Sequence, residues 1–239
     1  MKTPVLMTLM MLSSAVAAPL TLNLNLTVGP APLKIGDTLS TPSGIPLTLG
    51  TVKLYVSEVA LIQQDGSFLP IPGVRLLDFQ NGQSQVKVLD ADVPTGNYKG
   101  IRFSVGVPKE LNHLDPTFQK APLGVDSGMV WAWNPGYVFL KIEGKANLGL
   151  EQKSIALHLG TDSNLIPVNL FDLMMNKTNL AVPDAGLQVN VNLDVAKAFQ
   201  QGVGGEVYDF KQDKYQQAHM GAVSTQGFLN LLGAFTLKP

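Results

Sequence analysis

The segment Leu20-Thr21-Leu22-Asn23-Leu24-Asn25-Leu26-Thr27 alternates apolar and polar residues at every step. An extended strand sorts such a pattern, because its side chains point to opposite faces in turn. The spacing predicts a strand with its leucines on a core. Residues 52–61, VKLYVSEVAL, read the same way, and Asp65-Gly66 turns them toward Phe68-Leu69, a piece bounded by Pro70 and Pro72. Further strands are expected at 85–89, at 98–105 after the Pro94-Thr95-Gly96 turn, and at 137–142, 155–159 and 187–193.

Helices are few. Residues 194–201 fit a helix capped by Asp194 and stopped at Gly202. Residues 165–175 and 228–232 are apolar stretches that periodicity leaves open, and 202–239 read as a loop and short helix leading to a last strand at 233–237. No internal repeat and no linker rich in Gly, Ser or Pro divides the chain. Many short strands between Gly and Pro turns imply a mainly β protein, an antiparallel β-sandwich with long loops and one or two short helices.

The N-terminus carries a different pattern. Lys2 precedes the apolar run from Val5 to Leu12, and then come Ser13-Ser14-Ala15-Val16-Ala17-Ala18. This is the order of a secretory signal peptide with Ala15-Val16-Ala17 as its cleavage box. Residues 1–17 are expected to be removed, leaving 18–239 as one domain in a periplasmic or secreted protein. The apolar run is too short to span a bilayer. With no cysteine, the chain has no disulfide and no thiolate for a zinc ribbon, blue-copper site or iron–sulfur cluster. A formal charge of −1 and the absence of any Lys/Arg run give no basis for binding nucleic acid or an anionic membrane.

Scarce residues crowd into one third of the chain. Residues 129–144, MVWAWNPGYVFLKIEG, hold both tryptophans, and His113 and His158 flank them. If 129–133 is extended, Met129, Trp131 and Trp133 share one face. They form either a core cluster or an aromatic wall that binds a sugar, lines a metal pocket or is oxidised. In the strand 155–159, Ile155, Leu157 and Leu159 face the core, so His158 points outward beside small Ala156, where an imidazole meets solvent, substrate or metal. His113 lies in a polar loop next to Asn112, which can orient it. His219-Met220 sets an imidazole beside a soft thioether suited to Cu(I).

Enzyme signatures are missing. There is no G-x-S-x-G, no P-loop, no H-E-x-x-H and no EF-hand loop. No spacing singles out a carboxylate pair, so a hydrolase with dispersed carboxylates has no motif behind it. The chain reads as a binding protein rather than an enzyme.

Several of these segments together resemble the MbnP-like family of secreted copper-binding proteins, first associated with methane-oxidising bacteria and methanobactin operons. The resemblance rests on Val105-Gly106-Val107-Pro108, Leu111-Asn112-His113, Ala121-Pro122-Leu123, the segment from Met129 to Tyr137, Glu143-Gly144 and His158-Leu159-Gly160. The strand from Leu54 to Leu61 and Gly96-Asn97-Tyr98-Lys99-Gly100-Ile101-Arg102-Phe103 extend it, so that it covers roughly residues 20 to 193. The family implies a β-rich exported protein and a dihaem peroxidase-like partner enzyme that oxidises a tryptophan to kynurenine. It also implies copper held by two histidines and the kynurenine amine. Carried onto this chain, His158 is the best ligand match and His113 a second; His219 and Met220, beyond the span of the resemblance, remain candidate ligands on their side-chain chemistry alone. Trp131 or Trp133 would be the modified residue, and Met129, Tyr137 and Asn112 would line the pocket. Relatives often carry a histidine near the first strand, where this chain has only residues 20–27, and many carry cysteines. The other reading of the same residues is a metal-free sandwich that recognises a glycan or a protein through Trp131, Trp133 and Tyr137.

Overall fold

A computed structural model describes residues 16–80, 82–132, 136–171, 180–200, 202, 206–219 and 221–238. Residues 1–15 of the expected signal peptide, Trp133 and Met220 lie outside the described residues, whereas Val16 and Ala17 are described. The first strands are β1 (Ala17–Val28), β2 (Ala31–Pro32), β3 (Thr38–Ser40) and β4 (Pro46–Ile62). Then follow β5 (Phe68–Ile71), β6 (Arg75–Phe79), β7 (Gln85–Pro94), β8 (Gly96–Tyr98) and β9 (Gly100–Val105). After the single-turn helix α1 (Lys109–Asn112) come β10 (Val138–Asn147), β11 (Gln152–Gly160), β12 (Ile166–Phe171), β13 (Leu180–Val182) and β14 (Leu187–Asp194). The chain closes with β15 (Gln217–Ala218), α2 (Ala222–Leu231) and β16 (Phe235–Leu237).

Two sheets bury a shared core. One runs β16-β14-β1-β2 with β7 also paired to β1; the other runs β12-β9-β4-β10-β11-β15, with β3, β5 and β6 also paired to β4. The mainly β expectation is met, and the strands sit where the alternation puts them. Leu20, Leu22, Leu24 and Leu26 of β1 and Val52, Leu54 and Val56 of β4 are all buried in the main core. Burial of this many aliphatic side chains is the main force holding the sheets face to face.

Three features depart from the sequence reading. First, β1 and β14 run parallel over eight paired positions, Leu20↔Leu187 to Thr27↔Asp194, within an otherwise largely antiparallel protein. The two strands share an apolar–polar rhythm, so parallel register stacks like on like. Asn23 donates to Asn190 and Asn25 to Asn192, each at 3.1 Å. Second, the polar face of β1 is covered as well, with Asn23, Asn25 and Thr27 all buried. These side chains accept burial because the cross-strand amides satisfy them. Third, residues 194–201 form a short 3-10 turn, Val195–Phe199, rather than an α-helix; the Asp194 carboxylate does cap it, accepting from the Ala196 N–H. Of the open stretches, the first holds strand β12, with 172–175 outside the described residues, and the second lies in α2 up to Leu231.

A smaller apolar cluster stands apart from the main core. It gathers Tyr55, Val107, Met129, Trp131, Tyr137 and Phe139 with their neighbours. Tyr55 and Tyr137 meet edge to face at 5.7 Å, and their hydroxyls donate to the carbonyls of Pro122 and Leu123. Those bonds let two phenols sit in an apolar interior without an unpaired polar group. This cluster is the floor on which the candidate site rests.

Candidate metal centre

The site begins at the β10–β11 hairpin. Its antiparallel register sets Lys141 opposite His158 and Glu143 opposite Ala156. His158 and Glu143 are therefore diagonal neighbours on one face, within reach of long side chains. The His158 Nε2 lies 2.8 Å from Glu143 Oε1. Its exposure is only 12 %, as expected of a side chain that an added layer has covered.

That layer comes from the C-terminal segment. Strand β15 pairs in parallel with β11 at Ala156↔Gln217 and Leu157↔Ala218, which carries the next residue, His219, alongside His158. The two Nδ1 atoms stand 2.8 Å apart, with ring centres at 4.5 Å. The Ser224 hydroxyl of α2 donates to the His158 carbonyl. Gly227 lets α2 approach, since a Cβ there would lie 3.0 Å from the Leu157 side chain.

Trp131 forms the third side. Its ring centre is 6.2 Å from that of His158. The indole lies against Gly160, where a Cβ would come within 2.9 Å of the indole Nε1 and 2.6 Å of the Tyr137 carbonyl. Only glycine permits that approach. Backbone bonds from Trp131 to Gly136 and from Val138 to Met129 close the loop that presents the ring.

Electrostatics favour a neutral His158. Burial pulls its imidazole below the ordinary histidine value, and His219 lowers it further, against the upward pull of Glu143. Burial alone would raise the Glu143 carboxyl, but the His158 hydrogen bond, with Lys141 and Thr51, leaves it lowered. The result is a neutral imidazole whose Nε2–H donates to a carboxylate, so Nδ1 is the nitrogen with the lone pair. With the lone pair on His158 Nδ1, the N–H between the rings is that of His219 Nδ1, and His219 Nε2 lies 3.2 Å from Gln217 Oε1.

The remaining predicted residues fall elsewhere. His113, on the exposed loop after α1, pairs through Nε2 with Asp162 at 2.8 Å and has no hydrogen bond to either of the other imidazoles. Asn112 does not orient it. The Asn112 amide instead donates to Asp162 and its carbonyl oxygen accepts from the Tyr137 N–H, which braces the Trp131 loop from behind. Met129 and Tyr137 are fully buried in the smaller cluster and fill a core rather than line an open pocket. Sequence reasoning missed Glu143 as the carboxylate behind His158; its place two residues beyond the register partner of His158 is the signal that was there.

A family model named MbnP matches residues 17–220. The chain belongs to the MbnP family. Its fold is also that of the solved MbnP from Methylosinus trichosporium, with a TM-score of 0.57 and 19 % identity, over 87 % of this chain and 82 % of that one. A search of curated proteins finds no match. Within the MbnP match lie His158, His219, Glu143 and Trp131, all the members of the site.

Proposed function

We propose that this MbnP-family protein is an exported copper-binding protein that sequesters or delivers copper through His158 and His219. The observation that carries this reading is the meeting of the two Nδ1 atoms at 2.8 Å. Metal–imidazole bonds are about 2.0 Å long, and two such nitrogens at a right angle stand about 2.8 Å apart. His158 also has the backing expected of a ligand. Its far nitrogen is held by a carboxylate, which fixes the tautomer and the ring plane and strengthens the donor.

Imidazole nitrogens are usual copper ligands. Among the described residues no group of three His, Cys, Asp or Glu side chains is arranged to hold a metal ion, so the proposed site needs a further donor. Trp131, with its indole opened to an aromatic amine, would bring a third nitrogen beside His158, its ring centre being 6.2 Å from the imidazole's. Oxidation of Trp131 to kynurenine, with a peroxide as the oxidant used by a dihaem peroxidase-like partner, would cleave the indole C2–C3 bond, release C2 as formate after hydrolysis and free an aromatic amine beside His158. Bound copper would supply redox-active charge at the site. The chain's own residues hold the two rings, keep the His158 Nδ1 unprotonated and leave the His158 side chain only 12 % exposed to water.

The glycan or protein reading loses support from burial. Trp131 is 8 % exposed and Tyr137 1 %, so neither offers a flat face for stacking a sugar.

The test is copper stoichiometry and peptide mass on protein recovered from its exporting host. About one copper per chain, lost in His158→Ala and in His219→Ala, supports the reading; copper retained by both variants removes these histidines from the site. A gain of about 4 Da on the peptide carrying Trp131, one carbon lost and one oxygen gained, would mark kynurenine.

A further inference from the structure

Strand β4 breaks step beside β9. Register passes from Ser57↔Ser104 to Ala60↔Arg102, so Glu58 and Val59 together stand against Phe103. This is a β-bulge, a device that re-aims side chains and recurs beside functional sites. Glu58 sits within it at φ +51°, a left-handed conformation uncommon for a residue with a Cβ. Backbone held against its preference clusters at ligand clamps.

The bulge opens on a cavity of about 450 Å³ whose walls include Ser57, Glu58, Phe68, Arg102, Pro108 and Leu111. Two polar side chains in its wall carry an unpartnered atom, and a third has one oxygen uncommitted. Ser57 is 1 % exposed, and its hydroxyl has no hydrogen-bond partner among the described residues. The Arg102 Nε is equally closed to solvent and equally unpartnered. The Arg102 guanidinium rests 4.5 Å from the centre of the Phe68 ring, with no carboxylate salt-bridged to it among the described residues. Glu58 commits only Oε2, which accepts from the Ser104 hydroxyl at 2.6 Å.

Folded proteins rarely leave buried donors unpaired, and each such group asks for a partner. The cavity offers one cation, one anion and an unused hydroxyl amid apolar walls. A simple anion would satisfy Arg102 and meet repulsion from Glu58; a simple cation would do the reverse. We propose that this cavity binds a small zwitterion with an apolar side chain, an α-amino acid or a dipeptide. Its carboxylate is taken by Arg102, whose planar fork suits a carboxylate, together with the Ser57 hydroxyl. Its ammonium is taken by the uncommitted oxygen of Glu58. Its side chain lies against Phe68, Pro108 and Leu111, and Phe68, half exposed, is the ring that moves aside on entry.

The experiment is calorimetric titration of the whole mature protein with L-leucine, L-leucine amide and 4-methylpentanoate. L-Leucine is expected to bind, and each analogue, lacking one charged end, to bind at least about tenfold more weakly. Arg102→Met and Glu58→Gln should each weaken L-leucine by at least about tenfold. Glu58→Gly is the control for folding. Glycine suits a left-handed backbone, which offsets the loss of the Ser104 hydroxyl's acceptor, so this variant should fold with a melting temperature close to that of the natural protein while losing L-leucine to the same degree. Unchanged L-leucine affinity in Glu58→Gly would make the bulge purely structural and overturn the proposal. So would 4-methylpentanoate binding as tightly as L-leucine, or no binding of L-leucine, L-phenylalanine or Leu-Leu at about 10 mM.

Discussion

Two histidine–carboxylate pairs occur in this protein at the same 2.8 Å spacing, His158–Glu143 and His113–Asp162. On spacing alone they are equivalent. Their surroundings are not. The side chain of His113 is 55 % exposed and that of His158 12 %. The second nitrogen of His158 meets the Nδ1 of His219, whereas His113 is paired only with Asp162 among the described residues. An exposed histidine beside a carboxylate gains little, because water screens the pair. A covered one has its tautomer fixed and its second nitrogen aimed. On the copper reading proposed above, only the covered pair, whose second nitrogen meets another imidazole, is placed to serve as a ligand.

The largest break in this comparison should come from the ligands themselves. His158→Ala is expected to lower copper affinity by at least about a hundredfold, and His113→Ala by less than about threefold, both read by competition with a chromophoric chelator. Equal losses would erase the distinction between the pairs. Next is the carboxylate behind the ligand. Glu143→Gln keeps the shape but weakens the hold on Nε2–H, and should cost roughly 10- to 100-fold in copper affinity with the melting temperature nearly unchanged.

Gly160→Ala sharpens the role of Trp131. The added methyl displaces the indole, so the variant should fold with about 1–3 kcal/mol less stability and resist oxidation of Trp131, read by denaturant titration and peptide mass. Smallest is the effect at the other pair. Asp162→Ala removes the acceptor for Asn112 and His113 and should cost about 1 kcal/mol of stability while copper affinity holds. The pH dependence follows from the same carboxylate. Burial pushes Asp162 up, but the hydrogen bonds from His113 and Asn112 outweigh it and hold the group below its ordinary range. Its folded value is thus below its unfolded one. The contribution is whole above about pH 4 and fades as pH falls below it, so acid titration should destabilise the natural protein more than Asp162→Ala.

Much of the framework was legible in the residues. The alternation in β1 and β4 located strands and core faces, and the outward direction of His158 followed from Ile155, Leu157 and Leu159 facing in. The parallel pairing of β1 with β14 was not legible, because alternation sets which face is buried and says nothing of strand direction. His219 was a candidate, yet its partnership with His158 was hidden. The two are 61 residues apart, joined by a two-residue strand too short to show any period. His113 drew attention through local sequence, beside Asn112 and close to the tryptophans, but the fold turns both side chains onto Asp162.

The central claim is that His158 and His219 act as one pair. X-ray absorption at the copper edge, on protein loaded with one equivalent at neutral pH, tests it most directly. The account predicts two imidazole nitrogens at about 2.0 Å from copper, falling to one in His219→Ala and in His158→Ala. Copper bound without imidazole scattering, or an unchanged spectrum in either variant, would contradict it.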